Sequence, residues 1–132
     1  MSAYEFVDHI YDVVVVGAGG AGLRATLGMA EKGFKTACIS KVFPTRSHTV
    51  AAQGGIAAAM DTSDIDSHVH DTIINGHQIC NPESVTRIIE QGRKSIDVLI
   101  KHGVNFNTDG AKLQQTLEGG HSKRRIAYHN DN

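Results

Sequence analysis

The chain has 132 residues, a formal net charge of −1 and 40% hydrophobic residues, enough for one modest core and roughly one domain. Such a balance gives no broad attraction for nucleic acid or an anionic membrane, so neither is an expected partner. The acidic start has no basic n-region, no run is long enough to span a bilayer, and Cys38 and Cys80 lack metal or redox spacing; a reduced, cytoplasmic protein without a signal peptide is expected.

Residues 1–10 read as a polar lead-in, with Phe6, Val7 and Ile10 available to pack on a sheet edge. Asp12-Val13-Val14-Val15-Val16 is a continuous apolar run, which predicts a central strand of a parallel sheet buried on both faces. It feeds Gly17-Ala18-Gly19-Gly20-Ala21-Gly22. In this G-x-G-x-x-G pattern Gly17 permits the tight turn, Gly19 admits backbone close to a pyrophosphate, and Gly22 lets helix and strand pack closely. The helix opened by the turn should run from about Gly20 to Lys32, with Leu23, Leu27 and Ala30 at helical spacing and Lys32-Gly33 as its stop. Its unpaired N–H groups and positive dipole end point at one spot, so a dinucleotide diphosphate is the natural guest. A second strand over Lys35 to Ser40 returns parallel to the first and completes a βαβ unit. Where a carboxylate is expected to hold a ribose hydroxyl, Ser40 and Lys41 stand instead. That departure disfavours plain NAD and favours FAD, which has further anchors.

Phe43 to Ile56 has no clean periodicity but is too apolar to be a linker, and its Arg46, His48 and backbone donors suit a flavin's ring and phosphates. From there Ile65, Val69 and Ile73 predict a helix over about Asp66 to Gln78. His68 and His70 fall on different faces of it, so these histidines and His77 read as a solvated polar face and no metal site is expected. Asn81-Pro82-Glu83 is a helix start, and Val85, Ile88, Ile89, Ile96, Leu99 and Ile100 form its core stripe up to Lys101-His102-Gly103. Asp109-Gly110 signals a hairpin within Val104 to Leu113. The stretch Glu118-Gly119-Gly120-His121-Ser122-Lys123-Arg124-Arg125 reads as an exposed loop, either a solvated charge run or a site offering an acid, flexible backbone and several cations.

The segments Asp12 to Ala25 and Ile39 to Gly55, with their Gly17–Gly22 turn and Arg46-Ser47-His48-Thr49 stretch, resemble the flavoprotein subunit of succinate dehydrogenase and fumarate reductase. The resemblance covers residues 1 to about 60. It implies an α/β, Rossmann-like FAD-binding domain with a parallel sheet, here incomplete, and FAD carried covalently on His48. Ser40-Lys41 is expected in that family. Residues 57–132 resemble L-aspartate oxidase instead, through Gln53 to Ala58, Asp66 to Val69, Asp71-Thr72, Ile79-Cys80 and Glu118 to Arg125. The tail lacks the tryptophan-rich segment expected of succinate dehydrogenases, and the chain holds no Trp. L-aspartate oxidases share the fold but hold FAD without a covalent bond.

Together the two resemblances imply hydride removal from a four-carbon dicarboxylate to FAD. The implied cofactor-binding residues are Gly17, Ala18, Gly19, Gly20, Ala21, Gly22, Ser40, Lys41, Ser47, His48, Thr49, Ala52, Gln53, Gly54 and Gly55. Glu118 is the implied substrate-binding residue, facing the amino group of aspartate. The catalytic residues and carboxylate clamps are expected beyond residue 132, so the chain reads as the amino-terminal part of an FAD-binding domain, inactive alone. L-aspartate oxidase is the first reading, on the strength of Glu118. The alternatives are a succinate dehydrogenase flavoprotein, on the strength of the head and His48, and a non-catalytic FAD-binding fragment. Only the succinate dehydrogenase reading brings an iron-sulfur subunit, a membrane anchor and the cytoplasmic face of the inner membrane.

Overall fold

The computed structural model describes residues 4–52 and 55–129. They fall into two compact units, Met1–Gln53 and Gly54–Asn132.

In the first unit strand β1 (Val13–Val16) and strand β2 (Thr36–Ile39) are joined by helix α1 (Gly20–Glu31). The strands pair in parallel, Val13 against Thr36 through Val16 against Ile39, as the apolar runs and short connection predict. Asp12 secures the start of the pair, since its N–H donates to the Lys35 carbonyl at 2.9 Å and its carboxylate accepts from the Lys35 N–H at 2.8 Å. Helix α1 stops at the expected place, with Lys32 as C-cap and Gly33 at φ +84°. Burial on both faces is not observed: Val14 is 50% and Val16 84% exposed, while Val13 and Val15 are half-buried. The cause is coverage, because α1 packs on the Val15 side and the pair has only two strands. Phe6, Val7 and Ile10 likewise stay exposed rather than packing on the sheet edge. A 3-10 turn (Pro44–Arg46) and the short helix α2 (His48–Ala51) follow.

The second unit holds strand β3 (Ile56–Ala57), a 3-10 turn (Thr62–Asp64), helices α3 (Ile65–Asn75), α4 (Pro82–Glu90) and α5 (Gly92–Lys101), and strands β4 (Thr108–Asp109), β5 (Lys112–Leu113), β6 (Gln115–Thr116) and β7 (Ile126–Ala127). Strand β7 lies between β3 and β6, antiparallel to both. The core is built on Ala58, Ile96 and Ala127, with Met60, Phe106 and Leu113 packed against it. Helix α3 ends three residues before the expected Gln78, because His77 and Gln78 take positive φ (50° and 60°) and wind the chain out of the helix. Asn81 caps α4 as predicted, its Oδ1 accepting from the Ser84 N–H at 2.9 Å. The expected single helix to Lys101 is two, broken at Gln91-Gly92, where the Gln91 N–H bonds back only three residues to Ile88. Glycine's low helix propensity makes that junction the cheapest place to break. Of the predicted stripe, Ile89 and Ile96 are buried, but Ile88 is 71% exposed. The hairpin β4–β5 forms as read, with Gly110 (φ +59°) and Ala111 as its two central residues.

Candidate functional site

The glycine turn is shaped by three backbone demands. Gly17 sits at φ +111° and donates its N–H to the Ile39 carbonyl at 2.7 Å, which pins the turn to the end of β2. A Cβ on Gly22 would overlap the Gly17 carbonyl, so only glycine lets α1 lie this close to β1. Gly19 is the N-cap of α1 and supplies no capping side chain. The first helical amides therefore lack intrahelical acceptors. That of Gly20 donates to Thr49 Oγ1 at 2.9 Å; those of Ala21 and Gly22 begin the helix with no carbonyl one turn before them.

Beside the turn, at the carboxyl ends of β1 and β2, lies an open cleft of about 380 Å³ lined by Ala18, Leu23, Cys38, Ser40, Lys41 and the Val42–Pro44 segment. Open α/β sheets take ligands at this end of the strands. Ala18 is buried. The Ser40 hydroxyl donates to the Val42 carbonyl at 2.6 Å, and its lone pairs remain as acceptors. A glycine turn with no capping side chain of its own, the first-turn amides that follow the Thr49-bonded Gly20, and a cleft beside them fit the diphosphate half of a dinucleotide.

The structure brings a second predicted segment to this cradle. Ser47 is the N-cap of α2, His48 its first residue and Thr49 its second. The Thr49 hydroxyl accepts from Gly20, and its side chain also stands 3.5 Å from where a Cβ on Gly19 would lie, so the Arg46–Thr49 stretch is docked on the start of α1. His48 is exposed, as is Ala52 after the helix. Gln53 and Gly54 lie outside the described residues. Gly55 belongs to the second unit, where its lack of a side chain is required by the Ala127 carbonyl pressed against it.

Glu118 is exposed in the second unit, and its carbonyl accepts from the His121 N–H at 3.2 Å across a turn with Gly120 at φ +84°. Ser122, Lys123 and Arg124 are exposed as expected of this loop, but Arg125 at its end is fully buried, and Ile126 and Ala127 after it form a core strand. Arg125 pairs with Asp64 (Nε to Oδ2, 2.6 Å) and Asp71 (Nη1 to Oδ2, 2.6 Å). These bonds were missed because partners more than 50 residues apart leave no local pattern. A signal was nonetheless present: Asp64, Ser67, His68 and Asp71 recur at intervals of three and four, a polar stripe on one face of α3. His68 is accordingly not solvated but 5% exposed, its ring 5.6 Å from that of His121. His70 and His77 do stay exposed.

Electrostatics follow from the packing. The Ser122 backbone N–H, then its hydroxyl and Arg125, hold the Asp71 carboxyl well below the usual range. Arg125 does the same to Asp64, with help from Lys123, whose Nζ lies 3.1 Å from Oδ1. Burial, and after it the charges of Arg125 and His121, push the His68 imidazole down.

Comparison with known proteins agrees with this geometry. The mitochondrial succinate dehydrogenase (ubiquinone) flavoprotein subunit of Oryza sativa subsp. japonica is 47% identical over 125 residues, 92% of this chain and 20% of that protein. The L-aspartate oxidase of Acinetobacter baylyi is 44% identical over 122 residues, 91% of this chain and 22% of that one. Both likenesses thus run along nearly the whole chain, and the chain spans about one fifth of the length of these relatives. Among solved structures, Mycobacterium smegmatis Sdh1 superposes with a TM-score of 0.82 at 38% identity, covering 91% of this chain and 21% of that one. Residues 12–132 match the family described as FAD binding domain. This chain therefore belongs to the FAD binding domain family and takes FAD as its cofactor.

Proposed function

We propose that this chain is the amino-terminal, FAD-binding part, Rossmann-like with an incomplete parallel sheet, of an oxidoreductase acting on a four-carbon dicarboxylate, of the succinate dehydrogenase flavoprotein type. The observation that carries the reading is the bond from Gly20 N–H to Thr49 Oγ1, which seats the Arg-Ser-His-Thr stretch on the cofactor cradle. In support stand the 47% identity to a succinate dehydrogenase flavoprotein subunit and the likeness to Sdh1. This ranks succinate dehydrogenase above the L-aspartate oxidase reading that Glu118 placed first.

FAD, when bound, supplies the hydride acceptor, and the protein supplies orientation and electrostatics. The amides of Ala21 and Gly22 and the dipole of α1 hold the diphosphate, with Ala18 and Gly19 leaving room for it. Ser40 and Lys41 line the adenosine end, and Ser47, His48, Thr49 and Ala52 with Gln53 serve the flavin end. His48 is the residue for covalent attachment. On this reading the partners are an iron-sulfur subunit and a membrane anchor, and the place of work is the cytoplasmic face of the inner membrane. No described helix is long and apolar enough to cross a membrane.

Fusion of the chain to the remaining four fifths of the rice subunit tests the reading. Flavin fluorescence should stay with acid-precipitated protein, leave it in the His48→Ala variant, and accompany succinate oxidation. Free flavin in the supernatant of the unmutated fusion contradicts the assignment of His48. Oxidation of aspartate in preference to succinate restores the L-aspartate oxidase reading, which Glu118 favours because a carboxylate attracts an ammonium and repels the succinate dianion.

A further inference from the structure

Arg125 has no place in the function proposed above, yet its guanidinium is fully committed. Nε and Nη2 fork onto Asp64 at 2.6 and 3.0 Å, and Nη2 also donates to Ser67 Oγ at 2.8 Å. Nη1 donates to Asp71 Oδ2 at 2.6 Å and faces His121 Nδ1 at 3.4 Å. Asp71 Oδ2 accepts in turn from the Ser122 N–H (2.8 Å) and hydroxyl (2.7 Å), and Asn75 Nδ2 donates to the Gly120 carbonyl at 2.7 Å. The Glu118–Ser122 turn is thereby tied to α3 through its own backbone.

A guanidinium has five N–H donors and no acceptor. His121 Nδ1 must therefore accept, which puts the proton of the neutral ring on Nε2. We propose that Arg125 is a positioning residue, fixing the Glu118–Ser122 turn and selecting the Nε2–H form of His121, so that the turn bearing Glu118 offers a ligand carboxylate an N–H donor. The part concerning a ligand rests on the function proposed above; the tautomer does not.

The test is nitrogen NMR of the histidine-labelled 132-residue chain at about pH 8, above the ordinary histidine pKa of ~6.5. His121 should show one form, Nε2 protonated and Nδ1 of the unprotonated type. In Arg125→Lys, which keeps the charge but loses the fork, a protonated Nδ1 signal should appear and the amide resonances of residues 118–122 should move. In Lys123→Met, which removes an exposed cation that also touches Asp64, neither should change. Should Arg125→Lys fail to fold, Ser122→Ala removes one strut of the turn and should shift the same amides. A protonated Nδ1 on His121 in the unmutated chain overturns the proposal. Because no bound ligand is needed, that result bears on Arg125 alone, whereas failure of the functional reading shows in flavin attachment and leaves the tautomer unchanged.

Discussion

Two single-atom contacts decide the cofactor cradle. In Gly22→Ala the added methyl meets the Gly17 carbonyl, a backbone atom that cannot turn aside. Helix α1 has to shift off β1 at a cost of about 1–3 kcal/mol, and FAD affinity should fall with it; thermal melting and flavin fluorescence report the two losses. In Thr49→Val the Gly20 amide loses its acceptor, at about 0.5–1.5 kcal/mol, whereas Thr49→Ser keeps the hydroxyl and should stay near the unmutated chain. Glu118 separates the two sister reactions in the longer enzyme. Glu118→Gln removes a negative charge, so aspartate turnover should lose about one to two decades of kcat/KM if a charge-assisted bond of ~1.5–3 kcal/mol is broken. Succinate turnover should hold or rise. Equal losses for both substrates remove Glu118 from the site.

At the scale of elements, the β1–α1–β2 unit was legible in the sequence because every demand on it is local. Gly17 needs a positive φ, Gly22 a missing side chain and Gly33 a left-handed stop, and each lies within a few residues of the feature it creates. The cap of α4 was legible for the same reason, and Asn81→Ala should cost about 0.5–2 kcal/mol of the second unit's stability, read by denaturant unfolding. The break between α4 and α5 was not, since apolar spacing continues across Gln91-Gly92. Nor was the burial of Arg125. Its partners lie 54 and 61 residues away, and a run of cations looks solvated until those carboxylates are in view. The site divides in the same way: the cradle could be read from spacing, whereas the docking of Thr49 on Gly20, across 29 residues, could not.

The two units should respond differently to acid. Asp64 and Asp71 have folded pKa values below the ordinary 3.8, so their contribution is complete above that value and is lost as pH falls through the depressed ones. His68 is lowered from 6.5; the unfolded chain then takes up its proton first, and stability declines as pH falls below about 6.5. Melting of the second unit should therefore be level above about pH 7, ease below it and drop steeply below about pH 4, with the first stage missing in His68→Leu. At the scale of the whole molecule the diphosphate cradle at the start of α1 is the centre of the proposed function, and competition binding reaches it most directly. FAD added to the 132-residue chain should bind saturably though weakly, ADP should displace it, and riboflavin, which carries the ring without the diphosphate, should not. Displacement by riboflavin but not by ADP would place the ligand elsewhere and contradict the account.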